Sequence, residues 1–203
     1  MSGLEKALSI LCDDAELTTA LAAVLAHASK TGRISYNEAR EIVGDDLEDV
    51  LLLGNTWRML IPMRVGKSGA WEDRPLLCEP RESYQLPNII RYLVQNASKV
   101  GFWDSTYAIT EVFKEIEEPA WQQMPKLVAE LGKQARDCRV SAAQIREICI
   151  GVGLGDKVDL LIAELKSTGV MSPKLGSLAE VSKAGSPLYE LNPSLFTRTG
   201  EKE

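Results

Sequence analysis

Apolar residues recur at helical spacing in several separate stretches of the chain. Leu17, Leu21, Val24, Leu25 and Ala28 mark an amphipathic helix over residues 16–29, and Gly32 ends it. Ile34 then stands alone before Ser35, whose hydroxyl is placed to cap a new helix while Glu38, three residues on, returns a bond to the cap's own amide. That second helix is short, and Gly44 breaks it. Asp45 or Asp46 caps a third helix through Trp57, with Leu47, Val50, Leu51 and Leu53 as its apolar face. Residues 59–65 read as a strand, 66–69 as a turn and 75–78 as a returning strand.

The same pattern is then written a second time. Arg33, Ile34 and Ser35 followed by Arg40, Glu41 and Ile42 return as Arg139, Val140 and Ser141 followed by Arg146, Glu147 and Ile148, an offset of 106 residues between Arg33 and Arg139. Leu51, Leu52 and Leu53 match Leu160, Leu161 and Ile162, and Pro75 and Leu76 match Pro187 and Leu188. The offset thus grows downstream, with the extra residues placed in loops, where insertions cost little. The second copy repeats the capping box with Ser141 and Gln144. Its helices are predicted over 121–135, 142–149 and 156–167, and its strands over 170–175 and 188–191 around a turn with Gly176 and Gly185.

A stretch between the copies belongs to neither. Pro87 opens a helix carrying Ile89, Ile90, Leu93 and Val94 that Gly101 ends, and residues 105–117 form another with Ile109, Val112, Phe113 and Ile116 on one side before Pro119. Such apolar faces need a cover, supplied either by the two copies, with the connector as a rigid spacer, or by a second subunit. Leu4, Leu8 and Leu11 pose the same question. The domain reading is 1–80, 81–118 and 119–203.

The order helix, helix, helix, hairpin resembles the winged-helix family, a helix-turn-helix followed by a β-hairpin wing. The residues that carry the resemblance are the capped helices at Ser35 and Ser141, the turns at Gly44 and Gly151, and the motifs Pro75, Leu76 and Pro187, Leu188. The fold expected is mainly α with small β-hairpin wings, two tandem winged-helix domains joined by a helical connector. The resemblance implies that the third helix often enters the DNA major groove while the wing touches the backbone, and equally that many members bind only proteins.

Composition narrows this little. With 45% hydrophobic and 26% charged residues the chain has ordinary globular make-up. No apolar run reaches the roughly 18 residues of a membrane span, and residues 1–14 lack the basic start of a secretory leader, so a cytoplasmic protein without membrane contact is expected. Cys12, Cys78, Cys138 and Cys149 show no metal or redox spacing and are expected to be reduced and mostly buried.

Charge changes the picture more. Residues 1–80 hold 8 Lys and Arg against 13 Asp and Glu, whereas residues 119–203 hold 11 against 10. Asp45, Asp46, Glu48 and Asp49 stand at the start of the first copy's third helix, where a groove-reading helix would meet phosphates, so that copy is a poor DNA reader. In the second copy Lys133, Arg136, Arg139, Arg146, Lys157, Lys166, Lys174 and Lys183 form a candidate nucleic-acid-binding set. Trp71, in the first wing, is a candidate exposed anchor for a partner, and Ile109, Val112, Phe113 and Ile116 a candidate homodimer seam.

Chemistry is sparse. His27 is the one histidine and has no catalytic or metal spacing around it, and the run Gly151, Val152, Gly153, Leu154, Gly155 follows a helix and lacks a phosphate-loop lysine, so it reads as a lengthened turn. No enzyme and no cofactor are expected. The function expected is a transcription-type regulator with weak, salt-dependent DNA association through the second copy. The alternative is a protein-binding tandem winged-helix scaffold without DNA contact.

Overall fold

A serine organises each half of the molecule. Ser35 and Ser141 sit in extended backbone, and each side chain accepts an N–H from the residue three ahead, Glu38 or Gln144, at 3.2 Å. Each serine amide is bonded in return by the side chain of that residue, at 2.8 and 2.9 Å. Both expected capping boxes are present. The computed structural model describes residues 1–64, 66–176, 182 and 185–197; Lys183 of the basic set and Val65 of the expected first strand lie outside them.

The described chain is mainly helical with two small antiparallel sheets. An N-terminal helix α1 (Gly3–Leu8) precedes the first half, which runs α2 (Ala15–Thr31), β1 (Arg33–Ser35), α3 (Tyr36–Val43), α4 (Leu47–Thr56), β2 (Ile61–Pro62) and β3 (Ser83–Gln85). The connector is α5 (Asn88–Val100) and α6 (Ser105–Glu115). The second half repeats the order as α7 (Met124–Gln134), β4 (Arg139–Ser141), α8 (Ala142–Gly151), α9 (Val158–Ser167), β5 (Met171–Lys174) and β6 (Leu188–Leu191). The strand orders correspond too, β1-β3-β2 and β4-β6-β5.

Register corrects the sequence reading in two places. The first returning strand is Ser83–Gln85, not residues 75–78. Tyr84 lies opposite Ile34 and Pro62, as Tyr189 lies opposite Val140 and Pro173. The segment containing Pro75 and Pro80 cannot donate a full ladder of bonds. It runs instead as an irregular strap, held where the buried Tyr84 hydroxyl donates to the Leu77 carbonyl. The first sheet therefore closes only at Gln85, beyond the expected limit of residue 80.

The second correction concerns the third helices. Pro62 and Pro173, opposite equivalent tyrosines, fix the offset there at 111, which pairs Leu47 with Val158 and Leu51 with Ile162. The match of Leu51 with Leu160 was two residues out of phase: Leu51 is buried and Leu160 is 53% exposed. At about 100° per residue a two-residue slip carries a side chain to the opposite side of a helix. The added residues sit in the turn that includes Gly153, which has a left-handed φ of 82°. The expected aspartate cap is not formed at α4, where Asp46 holds the cap position without a side-chain bond; 3-10 turns at Gly44–Asp46 and Gly155–Lys157 lead into α4 and α9.

One continuous apolar core runs from Leu4 to Leu195 through both halves. Ile109, Val112 and Phe113 of the proposed homodimer seam are buried in it, and Ile116 packs partly buried against it, because α6 lies between α5 and α7. Leu4 and Leu8 are covered likewise, with α1 against α5 and α2. The stripes that the sequence left unpartnered are thus covered by this chain itself. The connector is the central layer of the fold, and the seam expectation is corrected accordingly.

Candidate nucleic-acid interface

The seven described members of the basic set do not form one surface. Lys157 turns inward, its ammonium 3.6 Å from the fully buried Glu118 carboxylate. Lys174 pairs with Glu72 of the first half. Lys133 is bonded to Glu130 one helical turn away, at 2.8 Å, and Lys166 lies at the far end of α9, on the wall of a cleft between the halves. Arg136 and Arg146 are exposed beside β4 and on α8, and Arg139, exposed on β4, lies near enough to Glu72 to help hold its carboxyl below the usual range. Two of the seven described cations pair with carboxylates distant in sequence, and of these the fully buried Glu118 is the one that demands a cation close by.

Around its start α9 is therefore acidic and apolar outside: Asp156, just before it, Asp159 and Leu160 are exposed, while the Lys157 ammonium is held by Glu118, and the exposed Lys166 stands at the other end. The first half presents Asp45, Asp46, Glu48 and Asp49, with Leu52 57% exposed on α4. Neither third helix offers cations near its start to a phosphate backbone.

Trp71 is not the exposed anchor expected. It is only 7% exposed, and its amide donates to the Ser172 hydroxyl of the second half at 3.0 Å. The first hairpin's excursion does have a core to enter, because the second half supplies one. The junction continues with Glu72 accepting from the Leu175 amide and with Arg58 bonded to Glu190 at 2.9 Å, both side chains mostly shielded.

Asn192 closes the junction from the inside. Fully buried, it donates at 3.2 Å to the carbonyls of both Arg58 and Gly169. Those two residues occupy the equivalent left-handed turn after α4 and after α9, with φ of 53° and 83°. Its side-chain oxygen accepts from the Ser194 hydroxyl at 2.7 Å, and the Ser194 carbonyl accepts from the Trp103 indole at 2.9 Å. Asn192, Ser194 and Gly169 are not singled out by the sequence patterns. A usable signal existed, since Tyr84, Gln85, Leu86 and Pro87 echo Tyr189, Glu190, Leu191 and Pro193.

The thiols are shielded. Burial raises the thiols of Cys78, Cys138 and Cys149 above the ordinary range, which makes them poor nucleophiles; only Cys149 is fully buried, fewer than expected. All four cysteines are free. Burial and the adjoining Glu118 carboxylate push Glu164 up to about 7. Among the described residues no group of histidine, cysteine and carboxylate side chains is arranged to hold a metal ion, and no helix is long and apolar enough to cross a membrane.

A family model matches residues 2–202, taking in both halves and the connector. The chain belongs to that family. No curated protein and no solved structure matches the chain.

Proposed function

We propose that the chain is a non-enzymatic tandem winged-helix module that docks a protein partner through the outward faces of α4 and α9. The repeated helix, strand, helix, helix, hairpin order supports the winged-helix part of this reading. The observation that carries the docking part is the inward turn of Lys157. It leaves Asp156, Asp159 and the half-exposed Leu160 as the face of the helix that would otherwise enter a groove. Carboxylates beside exposed leucines suit a partner surface that is basic and apolar, and they oppose phosphate.

The exposed Arg136, Arg139 and Arg146 favour a second reading, in which this group touches DNA phosphates without reading bases. One titration separates the two. A labelled random-sequence duplex should bind the full chain weakly at low salt and release at physiological salt, because the exposed cations are dispersed and the starts of both third helices carry exposed carboxylates. Submicromolar binding at physiological salt, lost in Arg146→Glu, would overturn the protein-docking reading. A photo-crosslinker at Leu52 or Leu160 should capture one defined protein, and Asp159→Lys should abolish that capture while Arg146→Glu leaves it intact.

A further inference from the structure

A cleft of about 430 Å³ opens where the two halves meet. Trp71, Arg74 and Gln85 line it from the first half, and Lys166, Met171 and Pro173 from the second. Its size falls in the range of small-molecule sites, and its walls combine an apolar surface with few polar groups. We propose that this cleft binds a small organic anion, an aryl carboxylate or aryl phosphate, held between Arg74 of the first half and Lys166 of the second. The cleft takes Ala163, Lys166 and Ser167 from the same side of α9 that carries the exposed Asp159 and Leu160, and its ligand is a small molecule, so its test is separate from that of a docked protein.

Charge is the first support. Arg74 and Lys166 are the charged side chains on the cleft wall, and among the described lining residues no carboxylate opposes them. The acids next in sequence to Arg74 are engaged elsewhere: Glu72 by Lys174 and the Leu175 amide, Asp73 by the Ser68 amide. A chain with net charge −6 has thus kept a cationic cleft clear of its own carboxylates.

Hydrogen bonding is the second. The Arg74 guanidinium makes one long bond, from Nη1 to the Pro62 carbonyl at 3.5 Å, and its Nε is buried with no acceptor. With its one long bond to Pro62, the Arg74 guanidinium keeps terminal donors for a carboxylate or phosphate oxygen in the cleft. Four carbonyls at and just after the end of α9, which would repel an anion, already accept bonds. Glu164 accepts from Thr168, Leu165 from Val170, Lys166 from Gly169, and Thr168 from Ile89. The Trp71 wall is fixed in place by its bond to Ser172, which gives a flat body a prepared surface.

The test is a titration of the full chain with benzoate, phenyl phosphate and the neutral benzamide at millimolar concentration, followed by the Trp71 indole and Gly69 amide signals in a ¹H–¹⁵N spectrum. Saturable shifts with one or both anions and none with benzamide are expected, and the better anion tells carboxylate from phosphate. Arg74→Gln should weaken binding roughly tenfold or more, as loss of a charge-assisted pair does. Because Arg74 is partly buried, the exposed Lys166→Gln serves as the variant that leaves packing untouched, and it too should weaken binding several-fold. Gly69→Leu, where an added side chain meets open space, should block the cleft without unfolding the chain. The proposal is overturned if neither anion binds, if benzamide binds as well as benzoate, or if binding survives Lys166→Gln and Gly69→Leu unchanged.

Discussion

Two carboxylates and one ammonium meet beneath α9, and their proton count sets a measurable pH dependence. Glu118 is fully buried, accepts the Ala120 amide at 2.8 Å and faces Lys157 at 3.6 Å. The Glu164 carboxyl lies against it, close enough to share a hydrogen bond. One cation offsets one of the two charges, so burial and Glu118 together keep the proton on Glu164 up to about pH 7, against an ordinary 4.5. Between those values the folded chain holds a proton that the unfolded chain has released. Stability from this pair is therefore complete below pH 4.5 and is lost as the pH rises through about 7. At 1.36 kcal/mol per unit the shift sets a ceiling of about 3 kcal/mol, and because Glu164 is only partly buried, solvent screening reduces this to about 1–2 kcal/mol. Glu164→Gln keeps the shape and a donor toward Glu118 without the charge. Urea unfolding followed by tryptophan fluorescence should show variant and wild type within about 0.5 kcal/mol at pH 5 and the variant more stable by about 1–2 kcal/mol at pH 8. An equal difference at both pH values would refute the shared proton.

Ser35→Ala and Ser141→Ala should each cost about 1 kcal/mol in chemical unfolding, and both should act on one transition because the two halves share a core; separate transitions for the halves would contradict this. Gly169→Ala should destabilise by about 3 kcal/mol or more, since an added Cβ would lie 2.5 Å from Pro87 in a left-handed turn, whereas Gly153→Ala, with similar φ and open space, should cost about 1 kcal/mol. Asn192→Ala removes both donors to the left-handed turns and should cost about 3 kcal/mol while lowering the melting temperature. An Asn192→Ala loss below about 1 kcal/mol would show that the junction is held by its apolar contacts alone.

Local chemistry was legible in the sequence wherever it was decided locally. The capping boxes at Ser35 and Ser141, the left-handed glycine stops at Gly32 and Gly101, and the helices of the connector follow from residues within four positions of one another. The internal repeat likewise implies that the two halves share an element order. What tertiary structure alone decided was which faces meet. Leu51 and Leu160 look alike in sequence, but only the register of β2 and β5 against β3 and β6 showed that one points inward and the other outward. Trp71 reads as a wing-tip aromatic until Ser172 and the second hairpin cover it, and Phe113 reads as an interface until α5 and α7 enclose it. Lys157 counts as a surface cation until Glu118, 39 residues earlier in the chain, draws it inward. Each of these outcomes rests on a contact between residues far apart in sequence, whose energy depends on distance and desolvation in the folded chain and leaves no mark on the local pattern of apolar and polar positions.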